Sequence, residues 1–201
     1  MRVIILLIFL TSYNFAFSVN ESLLKIHATL VPKIYLMDYS FKEKLHDNSI
    51  KIVLLYDRND YKNALLLKEQ IETKYSKKIE NYNIKTILRP YEKVTKIDAN
   101  IYYIFPTSKK NIANTINTAK RNHALTFSYS SNDLKNGVML SLKIGSKVKP
   151  IINLSAVKSN NVIFRPVLLK ISHIYTKDAK SSFLDTHKQN MCYICKRESN
   201  S

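Results

Sequence analysis

The side chains of this 201-residue chain best suited to chemistry are two cysteines, five histidines and two closely spaced aspartates. Cys192-Tyr193-Ile194-Cys195 has the spacing of a small disulfide or an exchangeable dithiol. A dithiol enzyme would place the pair at the start of a helix after a strand, and here it lies in a polar tail. A c-type haem site needs His after the second cysteine, where this chain has Lys196. Zinc needs four ligands, and beyond Cys192, Cys195 and His187 no fourth is evident. The pair therefore reads as a disulfide, structural or regulatory. His27, His46, His123, His173 and His187 are scattered along the chain. His27 and His173 fall on or beside apolar helical stripes, which marks satisfied core or boundary histidines. Asp57 and Asp60 follow an apolar run at the end where open α/β sheets bind ligands. Helix capping accounts for them equally well and is the commoner use. Gly137 and Gly145 are the only glycines, which excludes dinucleotide and phosphate-loop fingerprints. No residue set supports catalysis, a cofactor or a metal, so the chain is expected not to be an enzyme.

The elements that must position these residues alternate in type. Asn20 or Ser22 can cap a first helix with Leu23, His27, Leu30 and Ile34 on one face, and Pro32 should kink or interrupt it near Val31. Ile50–Tyr56 is a nearly continuous apolar run, the mark of a central strand covered on both faces. A helix follows with Ala64, Leu67, Ile71 and Tyr75 inward. Ile84–Leu88 and Ile101–Phe105 are further strands, each stopped by proline. Ser108 caps a helix whose inner face is Ile112, Ile116 and Ala119 or the stem of Lys120. Ala124–Phe127, Gly137–Ile144 and Val148–Leu154 close the series. Gly145-Ser146-Lys147 suits a hairpin between the last two, and Pro150 argues that the last is an edge. Val167, Leu168, Ile171 and Ile174/Tyr175 recur at helical spacing, predicting a terminal helix laid on the sheet. The fold class is α/β: a single three-layer domain, a mostly parallel sheet flanked by helices, with an antiparallel pair near the C-terminal end.

Residues 1–18 read as a signal peptide. Arg2 precedes the apolar run Val3–Leu10, and Ala16-Phe17-Ser18 places small residues for cleavage after Ser18. The run is short for a membrane span, which needs about 20 apolar residues. The domain then covers residues 19–176, and residues 177–201 form a polar tail without periodicity, expected to be loose. The formal charge of +17 comes from 32 Lys and Arg spread along the chain, without an Arg-rich run. An exported chain of this pattern is not expected to bind nucleic acid; a solvated lysine coat, anionic headgroups or an acidic partner account for the charge.

Several short segments carry a resemblance: Ala124-Leu125-Thr126-Phe127-Ser128, Asn136-Gly137-Val138-Met139, Ile152-Asn153-Leu154 with Ala156, and Phe164-Arg165-Pro166-Val167-Leu168-Leu169. With these, residues 22–175 resemble the YfiR-like family of small periplasmic regulators. Ile50–Tyr56 with Asp57 and Asn59 also fits that family's first strand and helix start. The resemblance implies an α/β protein that binds the periplasmic part of an inner-membrane signalling protein, a diguanylate cyclase (hence cyclic di-GMP output) or a sensor histidine kinase. Two departures stand out. The well-known members carry cysteines within the domain, and here Cys192 and Cys195 lie outside it. A glycine common before the final segment is replaced by Asn160-Asn161, which the left-handed tolerance of Asn allows.

A non-enzymatic periplasmic regulator is thus the expected function, with Tyr129 in the loop after a strand either an exposed anchor for the partner or a plain loop tyrosine. No partner-binding residue carries over from the resemblance, and a homodimer is left open. The alternative is a small periplasmic solute-binding protein using a crevice near Asp57 and Tyr129. A third reading, a thiol-redox protein, rests on the tail cysteines alone.

Overall fold

The computed structural model describes residues 19–45 and 47–176. The leader, His46, His187 and the cysteine pair lie outside the described residues.

The first helix, α1 (Glu21–Tyr35), is capped by Asn20, whose side chain accepts from the Leu23 N–H. It runs through Pro32 without a break, so the expected interruption does not occur. Pro32 lies three residues from the helix end, where only one intrahelical bond is forfeited. The buried stripe is Leu24, His27/Ala28, Val31 and Ile34/Tyr35, about one position round from the predicted face.

The strand β1 (Ser49–Tyr56) leads into α2 (Tyr61–Tyr75). A short hairpin of β2 (Lys78–Ile79) and β3 (Tyr82–Pro90) follows, then β4 (Ile101–Ile104), α3 (Lys109–Arg121) and β5 (Leu125–Ser128). The chain ends in β6 (Leu140–Lys143), β7 (Lys149–Asn153), α4 (Leu154–Lys158), α5 (Pro166–Ile171) and β8 (His173–Tyr175). All strands join one sheet in the order β2-β3-β1-β4-β5-β6-β7-β8. β3, β1, β4, β5 and β6 run parallel, while β2 and β7 are antiparallel to their inner neighbours.

Alternation along β1 separates the two cores. Ile50, Ile52 and Leu54 pack with α1 and α2, together with Tyr103, Phe105, Leu125 and Phe127. Val53 and Leu55 face the other way, against Ile112 and Ala119 of α3 and Tyr91 and Val94 of the 3-10 segment Tyr91–Lys96. Strand residues pointing alternately to opposite faces require a helical layer on each side. This is the three-layer arrangement predicted from the sequence.

Three expectations at the C-terminal end are corrected. The predicted terminal helix is the short α5 followed by a strand: Leu168 is buried, whereas Val167 and Ile171 are 57% and 55% exposed. The Ser172 cap is extended, and residues 173–175 pair parallel with Ile151–Asn153. β7 is consequently not an edge. Pro150 is tolerated because pairing to β8 begins one residue later, at Ile151. The strand expected from Gly137 begins instead at Leu140, since the Met139 N–H bonds the Thr126 hydroxyl at 3.0 Å.

Gly137 closes the 3-10 segment Ser131–Asn136 with φ +98°. A Cβ there would meet Ile116 Cδ1 at 3.3 Å, so both backbone angle and space favour glycine. Asn161 does take a positive φ, 53°, as its substitution for a family glycine implied.

Candidate functional site

In a parallel sheet of this order the chain leaves β1 toward β3 on one side and returns to β4 on the other. The switch lies between the carboxyl ends of β1 and β4, the usual position of a ligand crevice. Here the chain's own side chains fill it. Asp57, just past β1, accepts from the Thr107 hydroxyl at 2.6 Å, and Thr107 accepts from Asn111 Nδ2 of α3 at 2.8 Å. Beneath them the Tyr91 hydroxyl donates to the Phe105 carbonyl at 2.7 Å. Burial raises the Tyr91 pKa well above its ordinary value, and the charges of Asp57, Asp133 and Asp60 add to that.

The predicted capping role of the aspartates is not what the structure shows. Asp57 clasps Thr107. Asp60 occupies the cap position of α2, but its carboxylate accepts from the Asn63 side chain rather than from a helix N–H. A hydroxyl donor within reach outcompetes a helix amide because the chain packs the β4–α3 turn against the β1–α2 turn. That tertiary contact is invisible in spacing.

One strand further along, Ser128 repeats the theme. Its hydroxyl donates to Asp133 at 2.5 Å and accepts from the Ser130 N–H, while its carbonyl accepts from Ser141 Oγ. Desolvation raises the Asp133 pKa, opposed by the Ser128 bond and by Lys135. Each hydroxyl–carboxylate pair lacks a histidine, and neither is a nucleophile–base–orienter set. Among the described residues no His, Cys, Asp or Glu group is arranged to hold a metal ion.

His27 is a core histidine, as its position on an apolar stripe predicted. It is 1% exposed, and its Nδ1 meets the Tyr103 hydroxyl at 2.9 Å. Its ring stacks on Tyr129 and lies edge-on to Phe127 and Tyr103. His173, by contrast, sits on β8 and is exposed. Tyr129 is neither an exposed anchor nor a plain loop tyrosine. It is 7% exposed, because its hydroxyl accepts from the Asn20 N–H at 2.9 Å and its ring joins the His27 cluster.

Where a crevice near Asp57 and Tyr129 was expected, Tyr129 lines one of two open depressions and Asp57 lines neither. Two separate open depressions occupy that end of the sheet. One, about 400 Å³, is lined by Tyr56, Arg58, Tyr61, Pro90 and Glu92. The other, about 330 Å³, runs past Leu23, Tyr129, Ser130–Asn132 and the end of β6.

The segments that carried the family resemblance hold the frame together. Asn153 Oδ1 caps α4 by accepting from the Ala156 N–H, while its Nδ2 donates to the Leu134 carbonyl at 2.9 Å. Asn160 Nδ2 donates to the Ala124 carbonyl at 2.6 Å. Asn153→Ala should cost about 2 kcal/mol, since it removes a cap and orphans a buried carbonyl. Urea unfolding checks this, with Asn153→Asp, which keeps the cap alone, expected in between.

Sequence reasoning missed Asp38, which is fully buried. It pairs with Lys44 at 2.5 Å and accepts from the Ser40 and Ile163 N–H groups, lacing residues 38–44 to the segment before α5. The available signal was a single carboxylate set between apolar Tyr35-Leu36-Met37 and Phe41.

Known proteins bear on this frame. A conserved domain protein from Vibrio cholerae O1 biovar El Tor shares the fold at TM-score 0.52 and 13% identity, over 76% of this chain and 60% of that one. The ABC domain in complex with L-Trp from Streptococcus pneumonia superposes at TM-score 0.48 and 12% identity, over 71% and 60%. The chain thus spans 60% of the length of each of these solved chains. No curated protein matches it. The YfiR/HmsC-like family model matches residues 41–173, from within the connector between α1 and β1 to the start of β8. By that match, over more than half its length, this chain belongs to the YfiR/HmsC-like family, a family of periplasmic proteins that are regulatory rather than catalytic.

Proposed function

We propose that this chain is a non-enzymatic periplasmic regulator. It binds the periplasmic sensor domain of an inner-membrane signalling protein, a diguanylate cyclase or a histidine kinase, and modulates its output. The observation that carries this reading is the family match across residues 41–173. It is supported by the switch-point crevice, where Asp57, Thr107 and Asn111 bond to one another instead of facing a substrate. Export is supported by the basic Arg2, the apolar Val3–Leu10 and the small residues before Val19. On this reading residues 1–18 are a cleaved leader, 19–176 the regulatory domain and 177–201 a tail bearing Cys192 and Cys195.

Regulation of this kind is a coupling free energy: the domain binds one state of the sensor more tightly and so shifts its population. Tagged residues 19–201, exported in the native host and crosslinked, should enrich one membrane protein that has a periplasmic sensor domain. Recovery of a folded, exported bait with no such protein would overturn the reading.

A further inference from the structure

The antiparallel end of the sheet differs chemically from the rest of the molecule. Between Asp133 and Asp178 the sequence contains no Asp or Glu, yet it carries eight Lys and Arg, and the seven of these among the described residues are all exposed. That run builds β6, β7, α4, α5 and β8. Three of the five large exposed hydrophobics also fall in it: Ile144 at 52%, Val167 at 57% and Ile171 at 55%. Val167 and Ile171 are four residues apart and so share one face of α5, immediately before β8.

Lys143 and Lys149 stand directly opposite each other across β6 and β7. Two residues further along β7, Ile151 is paired with His173 of β8. His173 is close enough to both lysines for their charges to lower its pKa, adding to the effect of desolvation. Like charges directly opposite destabilise a sheet, so the fold tolerates this arrangement at a cost. β8 ends the sheet, and among the described residues no strand pairs with its outer side.

We propose that this edge docks an extended acidic segment of the membrane partner, which adds a strand to β8 and lays apolar side chains on Val167 and Ile171. The inference rests on the function proposed above and names the face it uses. Three occupants compete for such a surface. A second copy would bring the same acid-free run and repel it. A bilayer offers anionic headgroups, but no row of donors and acceptors to match a strand edge. An acidic polypeptide supplies carboxylates for the lysines, main-chain bonds for β8 and side chains for the aliphatic residues. Lysines alone would merely blunt the edge against aggregation; exposed isoleucines and valine beside them work against blunting.

The test uses residues 19–201 exported in the native host. The photo-crosslinker p-benzoylphenylalanine is placed at Ile144, at Ile171 or, as a control, at Lys74 on α2. Crosslinks from Ile144 and Ile171, absent from Lys74, should map to an acidic segment of one inner-membrane protein. The same protein captured from Lys74 alone would overturn this inference and leave the proposed function standing. Capture from no position would overturn both. Crosslinks to another copy, or flotation of the protein with phosphatidylglycerol–phosphatidylethanolamine vesicles that Lys149→Glu abolishes, would assign the face to a dimer or a membrane instead.

Lys149→Glu supplies a second readout. Replacing one of two opposed lysines creates a cross-strand ion pair with Lys143, so the melting temperature should rise by about 1–3 °C. Partner recovery should nevertheless fall about tenfold, because the charge facing the acidic segment is reversed. Recovery unchanged by the substitution overturns the proposal.

Discussion

Lowering the pH from 7 to 4 should cost this domain about 3 kcal/mol through His27 alone. Burial lowers the His27 pKa from 6.5 to about 3. The groups that face it are Tyr103 from β4, Phe127 from β5 and Tyr129 just beyond. None of them offers a carboxylate to the imidazolium, and the charged residues of α1 nearest to it, Glu21, Lys25 and Lys33, are exposed. Because the folded pKa lies below the unfolded one, the unfolded chain takes up the proton first. The stability contributed by neutral His27 is complete above about pH 6.5. It declines by about 1.4 kcal/mol per pH unit as the pH falls, until the folded state also protonates near pH 3. A domain holds together by about 5–15 kcal/mol, so this one group takes a substantial share. His27→Gln removes the titration and keeps a polar partner for the Tyr103 hydroxyl. Urea unfolding at pH 7 and pH 4 should show wild type losing about 3 kcal/mol more than the variant. Equal losses would mean that His27 does not enter the core as a neutral ring.

Asp38→Ala should cost about 3 kcal/mol, near the lower end for breaking a buried ion pair by removing one partner. Asp38 is fully buried, and Lys44 retains some contact with water, its side chain being 15% exposed. The loss is more than one ion pair. The Asp38 carboxylate also accepts from the Ser40 N–H and hydroxyl and from the Ile163 N–H. Around it the backbone bonds Tyr39 N to Ile163 O and Arg165 N to Met37 O. Asp38→Ala therefore loosens the contacts by which the α1 connector is sewn to the segment preceding α5. For a chain of this size the melting temperature should fall by about 6–12 °C. Asp38→Asn keeps an oxygen acceptor for the backbone N–H groups and loses the charge, so it should recover about half of the deficit. Calorimetry on the three proteins checks both statements, and a drop within 1 °C for Asp38→Ala would refute the account.

Much of the frame was legible in the residues. Ile50–Tyr56, apolar at every position but Lys51, announced a central strand, since only burial on both faces supports such a run. Helical spacing located Ala64, Leu67 and Ile71, and Ser108 marked the start of α3, because these signals are local. The substitution at Asn161 also read correctly, whereas Asn153, expected inside a strand running to Leu154, ends β7 and caps α4. The left-handed backbone at Asn161 belongs to a single residue.

The misreadings have a common cause. Val167 to Tyr175 has helical periodicity, yet its last residues form β8, because the open edge of β7 offers them a ladder that a solitary helix end cannot match. Tyr129 looked like a loop residue until α1 folded over it, and Asp57 looked like a cap until α3 brought Thr107 within reach. The amino-acid order by itself determined the fold class, the two-sided sheet and the basic character of the chain. Burial pattern, cap chemistry and charge are properties that each residue carries wherever it goes. Tertiary structure alone decided which polar groups meet, which histidine is dehydrated and where the acid-free run becomes a face. Those outcomes depend on contacts between residues as far apart as Asn20 and Tyr129, or Asp38 and Ile163, and local sequence carries no term for them.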